Sequence, residues 1–254
     1  MCLILAAWQA HPDYPLVVAA NRDEFFARPT APAQFWEEAP DVLAGRDLEA
    51  GGTWLGVTRR GRFAALTNFR DPACNKTGAP SRGKLVSGFL RGNQSAQDYL
   101  RELDSVADRY NGFNLLFGDR HGLWCFSNCG EGERELAPGV YGLSNHLLDT
   151  PWPKVAHGKS ALADAMDALP DEEPLFALLR DDSIAPDDAL PRTGVSLEWE
   201  RLLSASFVRS PAYGTRSSTV VLMDNSGNLR FAEQTFLPDA VPGGRIEFSF
   251  QSVS

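Results

Sequence analysis

The sequence predicts an α+β fold in which sheets pack on one another and helices cover them. Three observations carry this prediction. Segments with strand character come in runs, and segments with helical spacing fall between those runs. Paired strand segments are separated by short breaks rich in turn residues, as in antiparallel hairpins. The length, 254 residues with 43% hydrophobic and 22% charged, suits a core buried without metal or disulfide staples.

The elements follow in chain order. Residues 2–9 and 16–20 are short apolar runs around the turn chemistry of His11, Pro12, Asp13 and Pro15, which predicts a first hairpin ending at Asn21-Arg22-Asp23-Glu24. Pro29, Pro32 and Pro40 predict an irregular segment. Residues 53–58 and 63–68 flank a turn containing Gly61 and predict a second hairpin. Residues 81–91 and 95–110 carry helical spacing. In the second, Tyr99, Leu100, Leu103 and Val106 share a face and Ser95 is the expected N-cap. Residues 112–118 and 123–127 read as strands, as does 139–145. Helices are expected at 152–169 and 171–181, and an acidic loop at 181–194. Residues 217–224 and 229–236 flank Asn225-Ser226-Gly227-Asn228, a strong hairpin signal, and 245–250 alternates as a last strand. No repeat or low-complexity linker divides the chain, so residues 1–254 are expected to form a single domain.

Composition excludes several classes of function. Lys and Arg total 24 against 33 Asp and Glu, a formal net charge of −9, which disfavours nucleic acid and anionic membrane surfaces as partners. No stretch approaches the length of a transmembrane helix, and the N-terminal apolar run stops at Gln9 without a basic segment before it. A cytoplasmic protein with reduced thiols is the expectation. Four cysteines, Cys2, Cys74, Cys125 and Cys129, are too few for a disulfide scaffold, and Cys125-Phe126-Ser127-Asn128-Cys129 lacks the further ligands of a zinc site.

Cys2 stands apart. A cysteine is small enough for removal of the preceding Met1, which leaves a thiol and a free α-amine on one residue. An α-amine has a reference pKa of roughly 7.7–8.0, so it can take the thiol proton, and nucleophile and general base then share a residue. No catalytic His is needed, and His11, His121, His146 and His157 fall into no nucleophile–His pattern.

Several motifs in order, Met1-Cys2, Asn21-Arg22-Asp23-Glu24, Ala44-Gly45-Arg46-Asp47, Gly51-Gly52-Thr53-Trp54-Leu55-Gly56, Leu66-Thr67-Asn68-Phe69-Arg70-Asp71, Gly142-Leu143-Ser144-Asn145 and Arg230-Phe231-Ala232-Glu233-Gln234-Thr235-Phe236, resemble the NRDE family, whose eukaryotic members are called transport and Golgi organisation protein two. That family in turn is similar to the N-terminal nucleophile (Ntn) hydrolases, which implies a four-layer αββα sandwich. The nearest motifs belong to cysteine amidases that cleave bile salts and penicillin V. The resemblance implies Cys2 as nucleophile, Arg22 and Arg216 as thiolate-tuning cations, Asp23 as the carboxylate holding the Arg and the α-ammonium, and Asn68 and Asn145 as oxyanion donors. These roles agree with simple electrostatics: an Arg raises the thiolate fraction, and neutral amides stabilise a developing oxyanion.

Two functions follow as expectations. One is hydrolysis of non-peptide amide or thioester bonds in small acyl compounds, which needs no cofactor. The other, implied by the family's links to haem delivery and to acyl-CoA and lipid metabolism, is carriage of haem or an acyl-CoA in the same cleft. Cys2 or His146 would then be an axial ligand for haem, or Arg59, Arg60 and Arg62 would meet CoA phosphates, although those three read more simply as a solvated turn.

Overall fold

Alternation of side chains along each strand explains the architecture. In β1 (Cys2–Trp8), Ile4, Ala6 and Trp8 point one way, and Leu3, Leu5 and Ala7 the other. Both sets are apolar, so the strand is buried on both faces and needs cover above and below. The computed structural model describes residues 2–130 and 132–253, for Cys74 the backbone alone, so the expected removal of Met1 concerns a residue outside those described.

Among the described residues the strands form two antiparallel sheets. The first orders β10 (Gly139–Leu143), β1, β2 (Leu16–Phe25), β11 (Tyr213–Met223), β12 (Asn228–Phe236) and β13 (Pro242–Gln251). The second orders β3 (Thr30–Trp36), β4 (Ala39–Asp47), β5 (Leu55–Thr58), β6 (Phe63–Asn68), β7 (Phe113–Asp119), β8 (Gly122–Ser127) and β9 (Gly132–Glu135). Their facing sides share a core that includes Ile4, Val18, Leu43, Phe63, Leu116, Val221 and Phe231. Helices α1 (Gly83–Arg91) and α2 (Ala96–Val106) cover the outer face of the second sheet through Leu85, Phe89, Tyr99 and Leu103. Helices α3 (Pro153–Ala165) and α4 (Glu173–Leu179) cover the first sheet through Val155, Leu162, Leu175 and Phe176. The layers are αββα, and α5 (Leu197–Leu202) lies in the connection leading to β11.

The structure corrects the sequence expectations at three places. The proline-bearing segment is a hairpin, β3–β4. Pro32 is tolerated because β3 is an edge strand whose register shifts between Ala31 and Gln34. The β2 strand does not stop at Ala20 but runs on through Asn21-Arg22-Asp23-Glu24, paired with β1 as far as Arg22 and with β11 throughout. Two short elements, β9 and α5, gave no periodic signal. The first is a four-residue charged edge strand, and the second is announced only by its cap Ser196 and the acids Glu198 and Glu200. Ser95 caps α2, its hydroxyl accepting from the Asp98 N–H. No helix among the described residues is long and apolar enough to cross a membrane.

Candidate active site

Register brings the first functional residues together. Cys2 on β1 is paired directly with Arg22 on β2, and Arg22 with Ser217 on β11. Ile4 and Ala20 lie in the core between the sheets, so the period of two sends Cys2 and Arg22 to that same inner face. The neighbours Asn21 and Asp23 therefore face the helices. The four-residue motif is thus divided by the sheet itself, with Arg22 on one side and Asn21 and Asp23 on the other.

On the inner face, Cys2 and Arg22 border a cavity of about 690 Å³ at the end of the two sheets. Asn68, at the end of β6, and Arg216, at the bulge where β11 slips against β2, line it as well. Asp23 also borders it, while its Oδ1 accepts from Thr215 Oγ1 at 2.7 Å. Trp54 and Leu66 contribute apolar wall, whereas Trp8 and Trp36 are buried in the cores.

Arg82 is a lining residue that the sequence did not disclose. Its position follows from two glycines. A Cβ built on Gly52 would lie 2.5 Å from the Gly83 carbonyl carbon, so only glycine lets this loop touch the start of α1. That contact holds Arg82 at the cavity, where Nη1 donates to the Gly112 carbonyl at 2.9 Å. Glu233 of β12 is a second such residue. It is 3% exposed and bridges the sheets by accepting the Ala33 N–H at 2.9 Å.

The charges around Cys2 are unequal. Arg28 satisfies Asp47 and Glu49 at 2.7 and 3.3 Å, and Arg46 pairs with Glu38 at 2.6 Å. Among the described residues Arg22, Arg82 and Arg216 form no ion pair; they donate to the Thr30 hydroxyl and to the Gly112, Phe25 and Arg28 carbonyls. Burial pushes the Cys2 thiol above its ordinary value, with Asp23 adding to the rise and Arg22 opposing it. Burial lowers Arg82, and the neighbouring Cys2 is the largest influence in the other direction. Burial also raises Glu233, opposed by the Ala33 N–H. Asp23, Glu24 and Glu233 line the same cavity, so Arg22 offsets part of the effect of burial on the Cys2 thiol within a wall of mixed charge.

The helix-facing side holds a buried polar cluster. Asn21 Nδ2 donates to the carbonyls of Leu179 and Ser206 at 2.8 and 2.7 Å, and its Oδ1 accepts from Ser218 at 2.6 Å. Tyr213 donates to the Asp23 carbonyl. Arg70 and Glu200 form an ion pair at 2.7 Å with side chains 2% and 4% exposed. Lys154, in the first turn of α3, is buried nearby. Asn145 is fully buried and does not line the cavity. Its Nδ2 donates to the Asn68 carbonyl at 2.9 Å, and its own carbonyl accepts the Arg70 N–H at 2.7 Å. These bonds tie the end of β6 to the segment after β10.

The remaining sequence candidates lie elsewhere. His146 is not a lining residue; its Nδ1 meets Thr150 at 2.9 Å and its ring packs on Phe69 and Trp152. Arg59 stacks on Phe35 and Arg62 on Phe89, while Arg60 bonds Asn93, all away from the cavity. Cys125 is buried in β8 and Cys129 is exposed beyond it; the side chain of Cys74 is outside those described.

Comparison with known proteins places this geometry. The sequence profile of the family Transport and Golgi organisation 2 matches residues 1–238. The Transport and Golgi organization protein 2 homolog of Bos taurus is 40% identical over 262 residues, covering 93% of this chain and 94% of that protein. The Homo sapiens homolog is 38% identical over 259 residues, with 93% and 94% covered. Among solved structures, penicillin V acylase from Agrobacterium tumefaciens matches with a TM-score of 0.50 at 12% identity, over 98% of this chain and 86% of that one. The shared feature at that identity is the fold, that of the Ntn hydrolases.

Proposed function

This chain belongs to the Transport and Golgi organisation 2 family, and from that premise we propose that it hydrolyses non-peptide amide or thioester bonds in small acyl compounds, with Cys2 as nucleophile. The observation that carries the reading is the placement of Cys2 at the wall of the cavity, paired with Arg22 and in the company of Arg82 and Arg216, which hydrogen-bond to backbone carbonyls and form no ion pair among the described residues.

The chemistry proceeds as follows. Removal of Met1 exposes the α-amine of Cys2, which takes the thiol proton. The thiolate, supported by Arg22 and Arg82, attacks the acyl carbonyl. Asn68, which lines the cavity, donates its side-chain amide to the oxyanion, while Asn145 holds Asn68 by its backbone carbonyl. The ammonium returns its proton to the leaving amine or thiol. Water, giving a proton to the α-amine, then attacks the carbonyl carbon of the acyl-Cys2 thioester; the C–S bond breaks, the acid leaves and the Cys2 thiol is regenerated. Arg216, committed to the Phe25 and Arg28 carbonyls, shapes the rim of the cavity. Asp23 acts from behind the strand on the amine.

The test is turnover of a panel of N-acyl amides and acyl thioesters by wild type, Cys2→Ala and Cys2→Ser. Hydrolysis by wild type that falls by at least about 10³-fold in Cys2→Ala supports the reading. Binding of haem or an acyl-CoA without turnover, unimpaired in Cys2→Ala, overturns it in favour of a carrier.

A further inference from the structure

We infer that Lys154 is a positioning residue of the Cys2 site, acting through the sheet from its helix-covered side to set the charge balance around Asp23 and the Cys2 end of β1. The inference rests on the reading of Cys2 as the reacting thiol.

The helix places Lys154 there by geometry. Gly158 of α3 meets Leu5 of β1 so closely that a Cβ would lie 2.8 Å from a Leu5 methyl, which fixes the height of the helix over the strand. One turn earlier, on the same buried face as Val155 and Leu162, stands Lys154, 4% exposed. Asp23 and Cys2 are both among the charged groups that act on it, which puts it toward the Cys2 end of β1. Among the described residues its Nζ has no hydrogen-bond partner. A buried ammonium without a direct partner is strongly unfavourable, and a Met or Leu would fill the same space without that penalty. A lysine at this position therefore calls for a charge-based reason.

The groups facing it supply one. From β2 comes Asp23, the strongest influence that raises Lys154; from the segment after β6 comes Arg70, which lowers it; from β1 comes Cys2, which raises it. Behind Arg70 stands Glu200 of α5, and Tyr213 of β11 donates to the Asp23 carbonyl. Burial brings Lys154 down to about 8. Lys154 also borders a second, smaller cleft of about 230 Å³ with Ser183, Ser204, Ser206, His157 and Asp181. His157 and Asp181 stand 3.8 Å apart there.

The sign follows from the charges. Protonated Lys154 favours the thiolate of Cys2 and the neutral form of a neighbouring amine, and it keeps Asp23 ionised. As pH rises through about 8, Lys154 loses its proton and this support goes with it.

The experiment is the pH dependence of iodoacetamide alkylation at Cys2, located by peptide mapping so that exposed Cys129 does not contribute. In Lys154→Met the alkylation rate at pH 7 should fall by about tenfold and the difference should close above about pH 9, where wild-type Lys154 is itself neutral; Lys154→Arg should match wild type at pH 7 and exceed it above about pH 8, because its charge persists. Superimposable profiles for wild type and Lys154→Met, in proteins with equal thermal melts, overturn the inference. So does a Lys154→Arg protein that shows no faster alkylation than wild type above about pH 8, and that variant alone carries the test should Lys154→Met not fold. Alkylation requires no turnover, so absence of hydrolysis refutes the proposed activity without touching this result. Hydrolysis with unshifted profiles refutes the role of Lys154 alone.

Discussion

Replacement of Glu200 by Leu should destabilise the fold more than any surface substitution, and the structure sets the size of the effect. Glu200 Oε2 meets Arg70 Nη1 at 2.7 Å, and Oε1 accepts both the N–H and the hydroxyl of Thr193 at 2.8 and 2.7 Å. Both charged side chains are almost wholly buried. Removing one partner of a buried pair costs about 3–5 kcal/mol, because the other charge stays out of water. At about 2–4 °C per kcal/mol for a chain of this size, the melting temperature should fall by about 6–20 °C. Circular dichroism melts at neutral pH measure it directly, and added salt should leave the difference nearly unchanged since the pair is shielded from solvent. The double variant Arg70→Met with Glu200→Leu should recover part of the loss, because the remaining charge is gone. A Glu200→Leu protein that melts within about 2 °C of wild type would refute the claim that this pair anchors the helix-facing side of the site.

Three further outcomes follow from the geometry. Gly52→Ala should cost about 1–3 kcal/mol in denaturant melts, since its Cβ falls 2.5 Å from Gly83 and either the loop or α1 must move. Asn21→Ala should cost at least about 3 kcal/mol, because two carbonyls and the Ser218 hydroxyl lose their partner at a fully buried position; urea unfolding against an exposed control such as Asn93→Ala checks it. Glu233 should make the wild type lose stability as pH rises from about 4.5 upward. Its native carboxyl holds the proton to higher pH than the unfolded one, so the native state binds more protons in that window. Glu233→Gln should flatten that slope in melts taken across the window.

The sequence disclosed what depends on local pattern. Alternation and turn residues showed the hairpins of β1–β2, β5–β6, β7–β8 and β11–β12, and helical spacing showed α1 to α4. The resemblance supplied the αββα layering, and the fold agrees with it. Pro32 misled because a proline on an edge strand looks, in sequence, like any other break. The site was legible as residue types at strand ends, yet its division by the sheet was not. Whether Arg22 and Asp23 share a face depends on β2 continuing past Ala20, which the charged run concealed. Arg82, Glu233, Lys154 and Glu200 escaped for one reason: each comes from an element distant in sequence, and nothing in the local pattern of a charged residue says that it is buried. The Gly51-Gly52 pair was the nearest signal for Arg82, because a glycine that lets backbones touch marks a close approach.

Intact-mass measurement of the purified protein, alone and during incubation with a small acyl thioester, tests the central claim most directly. The account predicts a mass lacking Met1 and a transient acyl adduct that maps to Cys2 and is absent from Cys2→Ala. A chain that keeps Met1, or an adduct confined to Cys129 while Cys2 stays free, would contradict it.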